Sequence, residues 1–406
     1  MKVTLVNHSD SLGGASVVTY RLMHALRRLG VDARMLVTSK TTDDRAVTQA
    51  ASRLRSRLPF LAEHLEIFIG NGRSRADLFK ASIATAGLPL SRHPLVRDAD
   101  AVILNWVNQG MLSLGEIGRI ASAKPTVWTM HDMWNMTGIC HHAALCGRYL
   151  DRCCDCPLLH SSAGPHDLAA RTFDRKMELY HRRRIRFVAV SSWLADRARG
   201  SALMRDADIE MIPNPFFVDE AAAPVAMTRA DAGLPAEGRL VVMCAARLDD
   251  PVKGLPIAVE AFNRLGRTDI IPVFVGALRD PRALDGLQCR FIRTGPIDDP
   301  ERLRAIYHHA SAVLSTSSYE SFGATLVEGQ AAGCVPVAFA HDGRADIVID
   351  GKTGYTADYP DAAGISRAIA RAVDDPIPPE QLAGHAGLFS WQHVGRRYID
   401  LIQSML

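Results

Sequence analysis

The stretch AVLSTSSYESFGATLVEGQAAGCVPVAFA, residues 312–340, contains one complete strand–helix–strand unit. It opens with a buried-type strand run, AVLSTS, and closes with a second one, CVPVAFA. Between them, the pattern predicts a helix that begins near Phe322 or Gly323. Two parallel strands joined by a helix imply a sheet that is covered by helices on both faces.

The same alternation continues toward both ends of the chain. The first half has strand runs at VTLVN, ARMLVTS, AVILNW, TVWTM and FVAVSS, and the second half adds LVVMCAA, IPVFVG and RFIRTG. Between the halves, IPNPFF places two prolines around Asn214, which is typical of a linker. We therefore predict an α/β chain with two Rossmann-like, doubly wound domains, residues 1–213 and 214–387, and a last helix within 388–406 that crosses back onto the first domain.

Length and composition agree with this architecture. A chain of 406 residues is too long for one ordinary core, and 48% hydrophobic with 22% charged residues is typical of a soluble enzyme. The net charge of +3 is too small to indicate a nucleic-acid partner. The opening MKVTLVNHSD turns polar after one short strand, unlike a secretory signal, and no apolar run approaches the roughly 20 residues that span a bilayer. The expected location is the cytoplasm.

Polar loops follow several strands at their carboxyl ends, where open α/β sheets bind ligands. Gly13 and Gly14 follow the first strand and open a helix, so their N–H groups suit a phosphate, although a plain tight turn is the more frequent explanation. Arg247 and Lys253 lie in the loop RLDDPVKG after LVVMCAA. Two cations there suit a diphosphate, because charge-assisted hydrogen bonds are about twice as strong as neutral ones. Solvated loop charges are the alternative.

The helix start in the opening stretch carries two carboxylates. Glu320 is predicted just outside the helix and Glu328 more than one turn inside it, so the two need not share a helical face. Two acceptors at different depths suit hydroxyls of two sugar rings, and amides at Phe322 and Gly323 suit an anion. A surface helix that supplies both acids by chance is the alternative. His131 follows TVWTM at a carboxyl end, although a lone histidine is more often a packed or surface residue.

These pieces together resemble a known family. LGGAS, MHD, IPNP, RLDDPVKG and YESFGATLVEGQAAGCVPV occur in the order found in the family 4 retaining glycosyltransferases of the GT-B fold, also called group 1. The resemblance spans nearly the whole chain, and its most specific part is the pair Glu320 and Glu328 separated by seven residues. The stretch from HDMWNMTG to CP is similar to a subset of bacterial exopolysaccharide and lipopolysaccharide glycosyltransferases.

The resemblance implies a hexosyltransferase (EC 2.4) with two Rossmann-like domains facing a cleft, a UDP- or GDP-sugar as donor, retention of configuration and no metal for the chemistry. By position, Glu320 would contact the donor sugar and Glu328 the ribose. Arg247 and Lys253 would hold the diphosphate, and His131 would meet the sugar from the first domain. The predicted catalytic residues are His131, Arg247, Lys253 and Glu320. The predicted donor-binding positions also include Gly13, Gly14, Ser321, Phe322 and Gly323.

The resemblance also implies a lipid-linked or oligosaccharide acceptor and a role in bacterial surface polysaccharide synthesis. A GT-B-like nucleotide-sugar epimerase and a catalytically silent sugar-nucleotide or membrane-binding module remain open. Residues 171–186 hold seven Arg or Lys against two Asp or Glu, including Arg182, Arg183 and Arg184, and a weaker basic stretch lies at 53–57. These stretches are either solvated helix faces or a peripheral contact with anionic lipid at the inner face of the cytoplasmic membrane, where each surface cation adds about 1 kcal/mol.

Five of the eight cysteines lie between positions 140 and 156. Cys140, Cys146, Cys153 and Cys156 are separated by five, six and two residues, and a short CxxC after two earlier cysteines suits a structural zinc site. The spacing is not that of a standard zinc ribbon, so unligated thiols are an equal alternative and disulfides a third. In each case the cysteines are expected to be structural.

Overall fold

The computed structural model describes residues 1–160 and 162–406. The chain forms two compact units. The first consists of Met1–Pro213 together with Val394–Leu406, and the second of Asn214–His393. Each unit is built on one parallel β-sheet with helices between its strands.

The first unit has a seven-stranded sheet in the order β3-β2-β1-β4-β5-β6-β7. Its strands are β1 (Lys2–Ser9), β2 (Asp32–Ser39), β3 (Val47–Gln49), β4 (Ala101–Leu104), β5 (Thr126–Met130), β6 (Ile185–Ala189) and β7 (Asp208–Met211). Its helices are α1 (Gly14–Arg28), α2 (Arg53–Gly70), α3 (Pro94–Arg97), α4 (Leu114–Ala123), α5 (Leu168–Arg182) and α6 (Ser192–Gly200).

The second unit has a six-stranded sheet in the order β10-β9-β8-β11-β12-β13. Its strands are β8 (Arg239–Arg247), β9 (Ile270–Ala277), β10 (Ile292–Gly295), β11 (Ala312–Ser315), β12 (Val335–Phe339) and β13 (Tyr355–Ala357). Its helices are α7 (Val218–Ala222), α8 (Leu255–Leu265), α9 (Pro300–His308), α10 (Ala324–Ala331), α11 (Ala362–Asp374) and α12 (Pro379–Ala386), and α13 (Trp391–Gln403) begins in this unit.

Both sheets have the doubly wound topology. In each, the chain moves from the first strand outward to one edge, returns to the other side of the first strand and continues to the opposite edge. The direction reverses between β1 and β4 in the first unit and between β8 and β11 in the second. This confirms the predicted fold class, and it marks the two places where such sheets bind ligands.

The strands read as continuous apolar runs because parallel sheets are buried on both faces. In the first unit, Leu5 of β1 and Ile103 of β4 are fully buried and pack in one core with Leu26 of α1. From Val394 onward α13 belongs to this core, where the Tyr398 hydroxyl lies 2.9 Å from the Thr129 hydroxyl. Each fully buried aliphatic or aromatic side chain stabilises the fold by about 1.5–3 kcal/mol.

The longest described helix is α2, with 18 residues. The Ser52 side chain caps its start by accepting a hydrogen bond from the Arg55 amide. Its inner face is fixed by Glu63, whose fully buried carboxylate accepts hydrogen bonds from the amides of Ile83 and Ala84 at 2.7 and 3.0 Å. Neither α2 nor any other helix in the described part of the chain is long and apolar enough to cross a membrane.

Candidate functional site

The predicted cations and carboxylates of the second unit lie at its topological switch point. Arg247 is the last residue of β8, and Lys253 ends a short 3-10 turn directly after it. Glu320 follows β11, the strand paired with β8 on the other side of the switch. Because both strands end at the same edge of the sheet, side chains from two distant parts of the sequence meet there.

Lys253 and Glu320 form an ion pair. The Lys253 Nζ lies 2.6 Å from Glu320 Oε1, and the Ser317 hydroxyl donates to the same oxygen at 2.8 Å. The loop that carries Lys253 is held against β11, because the Thr316 hydroxyl donates to the carbonyl oxygen of Lys253 at 3.1 Å. Gly254 allows this approach, since it has φ 67° and a Cβ there would lie 2.0 Å from the Thr316 carbonyl oxygen.

The backbone of Glu320 is held by residues that follow β12. Its amide donates to Asp342 Oδ2 at 2.9 Å, and its carbonyl accepts from the Gly343 amide at 3.1 Å. A Cβ on Gly343 would lie 2.1 Å from the Ser321 carbonyl oxygen, so only glycine fits. Asp342 is paired in turn with the fully buried Arg344 at 2.8 Å. Asp342 and Arg344 were not predicted from the sequence, although their position directly after a buried strand was the available signal.

Helix α10 begins where the sequence predicts it. Gly323 caps it with φ 107°, a left-handed conformation that favours glycine, and Phe322 before it is buried with its ring stacked on Phe216. Within residues 1–160 and 162–406, the amides of Phe322 and Gly323 donate no hydrogen bond. Glu328 lies one turn inside the helix. The pKa of the Cys244 thiol in β8 is raised to about 12, first by burial of the thiol and second by the negative charge of Glu328.

Arg247 takes a different partner from Lys253. Its guanidinium donates to Asp250 Oδ2 at 2.8 Å, and its Nε lies 3.7 Å from Asp249 Oδ1. The structure therefore brings Lys253 and Glu320 into contact and leaves Arg247 paired within its own loop. Whether Arg247 and Lys253 hold the same diphosphate, as predicted, stays a prediction.

The corresponding edge of the first unit presents open backbone and neutral hydrogen-bonding groups. Gly13 caps α1 with φ 89°, and neither Gly13 nor Gly14 has an atom within 4 Å of the position a Cβ would take. The loop after β1 thus leaves room directly over its backbone, as close approach of a phosphate requires. His131 follows β5 and its Nε2 lies 3.1 Å from Asn105 Oδ1, which follows β4.

Burial lowers the pKa of His131 to about 4, against the opposing effect of the neighbouring Asp132. The imidazole is therefore neutral at pH 7. Asp132 is committed elsewhere, since it accepts from the Trp106 indole at 3.0 Å and from His141 Nδ1 at 2.7 Å. Burial acts to raise the pKa of Asp132, but His141 and these hydrogen bonds hold it below its usual value. The roles of Asn105, Trp106 and His141 were missed from the sequence.

His141 also contacts a serine, which gives the order of groups found in a hydrolase triad. Its Nε2 lies 3.1 Å from the Ser82 hydroxyl, while Nδ1 faces Asp132. Ser82 is fully buried, however, so no substrate reaches its hydroxyl. A nucleophile needs access to the bond it attacks, so we interpret the hydrogen bonds among Ser82, His141 and Asp132 as a support for the loop that carries His131.

Lys176 of α5 fastens the same loop. Its ammonium is fully buried, donates to the carbonyl oxygens of Trp134 and Thr137 at 2.5 and 3.0 Å, and lies 3.3 Å from the centroid of the Trp134 ring. Burial lowers the pKa of Lys176 well below its usual value. Among the described residues no carboxylate pairs with it, so the turn at 134–137 is held by these two hydrogen bonds and by the contact with the Trp134 ring.

The predicted metal ligands lie beyond this turn. Burial raises the pKa of Cys153 to about 12 and of Cys156 to about 11, and it raises that of Cys140 as well. All eight cysteines are free thiols, and in residues 1–160 and 162–406 no three Cys, His, Asp or Glu side chains are arranged to hold a metal ion. The zinc site at Cys140, Cys146, Cys153 and Cys156 stays a prediction that metal analysis of the purified protein can test.

Several known proteins are similar to this chain. Glycogen synthase from Mycobacterium tuberculosis is 31% identical over 233 residues, which are 51% of this chain and 54% of the relative. The chain thus spans about half the length of the curated relatives it matches. Among solved structures, Anabaena HepE in complex with UDP-glucose superposes with a TM-score of 0.63 at 16% identity over all of both chains. WaaG, described as a glycosyltransferase involved in lipopolysaccharide biosynthesis, gives 0.62 at 15% identity over 98% of this chain and 99% of that one.

Family profiles cover most of the sequence. The profile described as Glycosyl transferases group 1 matches residues 228–386, and the profile described as Glycosyltransferase Family 4 matches residues 12–220, half of the chain. The solved structures show the same fold at identities too low to say more than that. With its two doubly wound sheets and both family profiles in order, the protein belongs to glycosyltransferase family 4 and has the GT-B fold.

Proposed function

We propose that the protein is a retaining hexosyltransferase that moves a sugar from a nucleotide-sugar donor to a lipid-linked or oligosaccharide acceptor in bacterial surface polysaccharide synthesis. The observation that carries this proposal is the Lys253–Glu320 pair at the switch point of the second sheet. It joins a cation suited to phosphate and an acceptor suited to sugar hydroxyls in one contact. The HepE complex with UDP-glucose supports such a donor, and the involvement of WaaG in lipopolysaccharide biosynthesis supports a role in surface polysaccharide synthesis.

The hydrogen bonds of the pair leave capacity for a donor. The Lys253 ammonium carries three protons, and among the described residues it donates only to Glu320. Both bonds received by the Glu320 side chain go to Oε1, from Lys253 and from Ser317, and Oε2 receives none from the described part of the chain. Two ammonium protons therefore remain for phosphate oxygens, and one carboxylate oxygen remains for a sugar hydroxyl.

This arrangement fits the charge that develops during transfer. As the nucleoside diphosphate leaves, negative charge grows on its phosphate while the sugar becomes cation-like. Lys253 and the amides of Phe322 and Gly323 at the start of α10 are donors for the first charge, and the Glu320 carboxylate lies beside the second. Preorganised donors of this kind are each worth roughly 10² to 10³ in rate. No second carboxylate is assigned as a nucleophile, because Glu328 is set inside the helix.

A donor screen tests the proposal. The purified protein is mixed with UDP- and GDP-sugars, and the unfolding temperature is measured, because a ligand that binds only the folded state raises it. We expect one nucleotide sugar to raise the unfolding temperature in the wild type and not in Lys253→Ala. Stabilisation by none of the nucleotide sugars, or the same stabilisation in both proteins, would contradict the donor assignment.

A further inference from the structure

The outer face of α2 is apolar, which is unusual for a surface helix. Five of its large apolar side chains are between 57% and 72% exposed, and they are Leu54, Leu58, Leu61, Leu65 and Ile69. Their spacing of three or four residues places them in one narrow stripe along the helix, because each residue turns it by about 100°. We call this row the α2 stripe.

The stripe cannot turn inward. The opposite face of α2 is anchored by buried Glu63, which accepts two backbone hydrogen bonds, and by buried His64 and Ile67. His64 is further held by the carbonyl oxygen of Phe60 at 2.8 Å. A helix packed by one face and apolar on the other needs an apolar environment on its outer side.

Cations flank the α2 stripe. At about 100° per residue, Arg55 falls on one side of the row, and Arg53 and Arg57 fall on the other. All three are exposed, and in residues 1–160 and 162–406 none of their guanidinium groups has a hydrogen bond or an ion pair. The loop after α2 adds the exposed Arg73 and Arg75. An apolar row bordered by unpaired arginines is the composition of helices that lie in the headgroup region of anionic membranes.

A cavity opens beside the N-terminal half of the stripe. It has a volume of about 540 Å³ and lies at the carboxyl ends of β1 and β2. Its lining includes Lys40, Arg53 and Arg57, together with Ser56, whose buried hydroxyl has no hydrogen-bond partner among the described residues, and Leu61 of the stripe. Lys40 already donates to the carbonyl oxygens of Asp44 and Val47 at 2.8 and 2.9 Å, so the two arginines and the unpartnered hydroxyl are the groups that suit a phosphate. We call this space the α2 cavity.

We propose that α2 lies in the headgroup region of an anionic membrane and that the α2 cavity takes the phosphate-bearing head of the lipid-linked acceptor. This rests on the proposed function for the identity of the acceptor. The membrane is the occupant favoured by charge, because the arginines beside the stripe are unpaired and complementary to anionic lipid. The α2 stripe and the α2 cavity share Leu61, so a lipid whose tail stays in the membrane can present its head to the α2 cavity.

The other basic surface of the first unit lacks these features. The stretch 171–186 borders a cavity of about 650 Å³ at the amino ends of β5 and β6, the edge opposite to the predicted ligand sites. Arg182 is paired with Glu178 at 3.0 Å. No large apolar side chain between 171 and 186 is exposed. Charge alone therefore distinguishes this surface, which makes it the matched control for the α2 stripe.

Binding to vesicles tests the membrane contact. The full chain is sedimented with vesicles of neutral phosphatidylcholine, and with vesicles that also contain phosphatidylglycerol. We expect binding that requires the anionic lipid and weakens as salt is raised to about 0.5 M, because added salt screens exposed charges. Leu58→Gln with Leu61→Gln, and separately Arg53→Gln with Arg57→Gln, should each weaken binding at least about tenfold.

Two controls keep the result specific. Leu388, 52% exposed in the second unit, is changed to Gln, and Arg182, Arg183 and Arg184 are changed together to Gln; both variants should bind as the wild type does. Loss of binding only in the arginine triple variant would overturn the assignment to α2, as would absence of vesicle binding by the wild type. A dimeric wild type that becomes monomeric in the leucine variant would identify a second copy as the occupant and would also overturn it.

Farnesyl diphosphate, used below its micelle-forming concentration, is the probe for the α2 cavity. Because a donor-site cation also binds diphosphates, the measurement is made in Lys253→Ala. We expect farnesyl diphosphate to raise the unfolding temperature of Lys253→Ala, but not that of the triple variant that also carries Arg53→Gln and Arg57→Gln. An unchanged shift in the triple variant would overturn the cavity assignment. Nucleotide-sugar binding by the α2 variants, measured in parallel, separates this inference from the proposed function, because the proposed function predicts that every α2 variant still binds the donor.

Discussion

The two units have the same strand order around their first strands, but their switch points carry different chemistry. In the second unit the edge is charged, with Lys253 and Glu320 in contact and the Asp342–Arg344 pair behind them. In the first unit the corresponding edge offers neutral His131 and the open backbone at Gly13. The comparison indicates that the fold determines where ligands bind, while the side chains at each edge determine which chemical groups they can bind. We propose that the charged edge binds the diphosphate and that the neutral edge acts through hydrogen bonds alone.

Removing the ion pair should have the largest effect. We expect Lys253→Ala and Glu320→Ala each to lower kcat/KM for transfer about 10³-fold, since each removes a preorganised charge at the reacting group. The double variant should lose little more than either single variant, because the two groups act as a unit. The measurement is initial-rate transfer with the donor found in the screen.

Arg264→Ala is the matched control for this ion pair. Its guanidinium pairs with Glu260 at 2.7 Å on the exposed face of α8, so its loss should change the rate by less than about twofold. Full turnover in Lys253→Ala with unchanged donor affinity would show that the charged edge is not the donor site, and the proposed difference between the two edges would be lost.

Asp342→Asn tests the support behind the charged edge. The substitution leaves Arg344 fully buried without a counter-charge, which costs about 3–5 kcal/mol of unfolding free energy. Asparagine still offers an oxygen to the Glu320 amide, so the residual folded protein should keep measurable activity. Urea unfolding of the variant measures the loss. In Asp361→Asn, whose carboxylate pairs with exposed Arg367, the cost should stay below about 1 kcal/mol, and equal losses would contradict the argument.

Most strands, and the positions of Lys253 and Glu320 at strand ends, could be predicted from the sequence, whereas the residues that support this ion pair could not. Glu320 and Lys253 stand in motifs at strand ends, and buried β8 and β11 read as apolar runs. The short edge strands β3 and β13, of three residues each, were missed because they give no apolar run. Asp342 was missed for a different reason: its partner Glu320 lies 22 positions away, and only the folded sheet brings the two together.

Substitution of His131 should have a smaller effect than loss of either charge. Its imidazole is neutral and already bonded to Asn105, so His131→Ala removes at most about one neutral hydrogen bond to the donor, worth 0.5–1.5 kcal/mol. We expect kcat/KM for transfer to fall about tenfold. Asn105→Ala, which frees the ring without removing it, should cost less. A loss in His131→Ala as large as that in Lys253→Ala would mean that the first unit carries charge chemistry too.

The pH profile is the finest test of the neutral edge. Burial lowers the pKa of His131 from 6.5 to about 4, so the folded protein keeps this ring neutral while an unfolded chain begins to protonate it. As pH falls from 6.5 toward 4, His131 therefore lowers the free energy of unfolding, because only the unfolded chain binds the proton and the ring stays neutral in the folded state. We expect the pH profiles of kcat/KM for the wild type and for His131→Ala to have the same shape near pH 6.5. Between pH 8 and pH 5.5, titration of this ring should change kcat/KM by less than about twofold. An inflection near 6.5 that disappears in His131→Ala would show a protonated, charged ring during turnover, and the division of labour between the two edges would have to be abandoned.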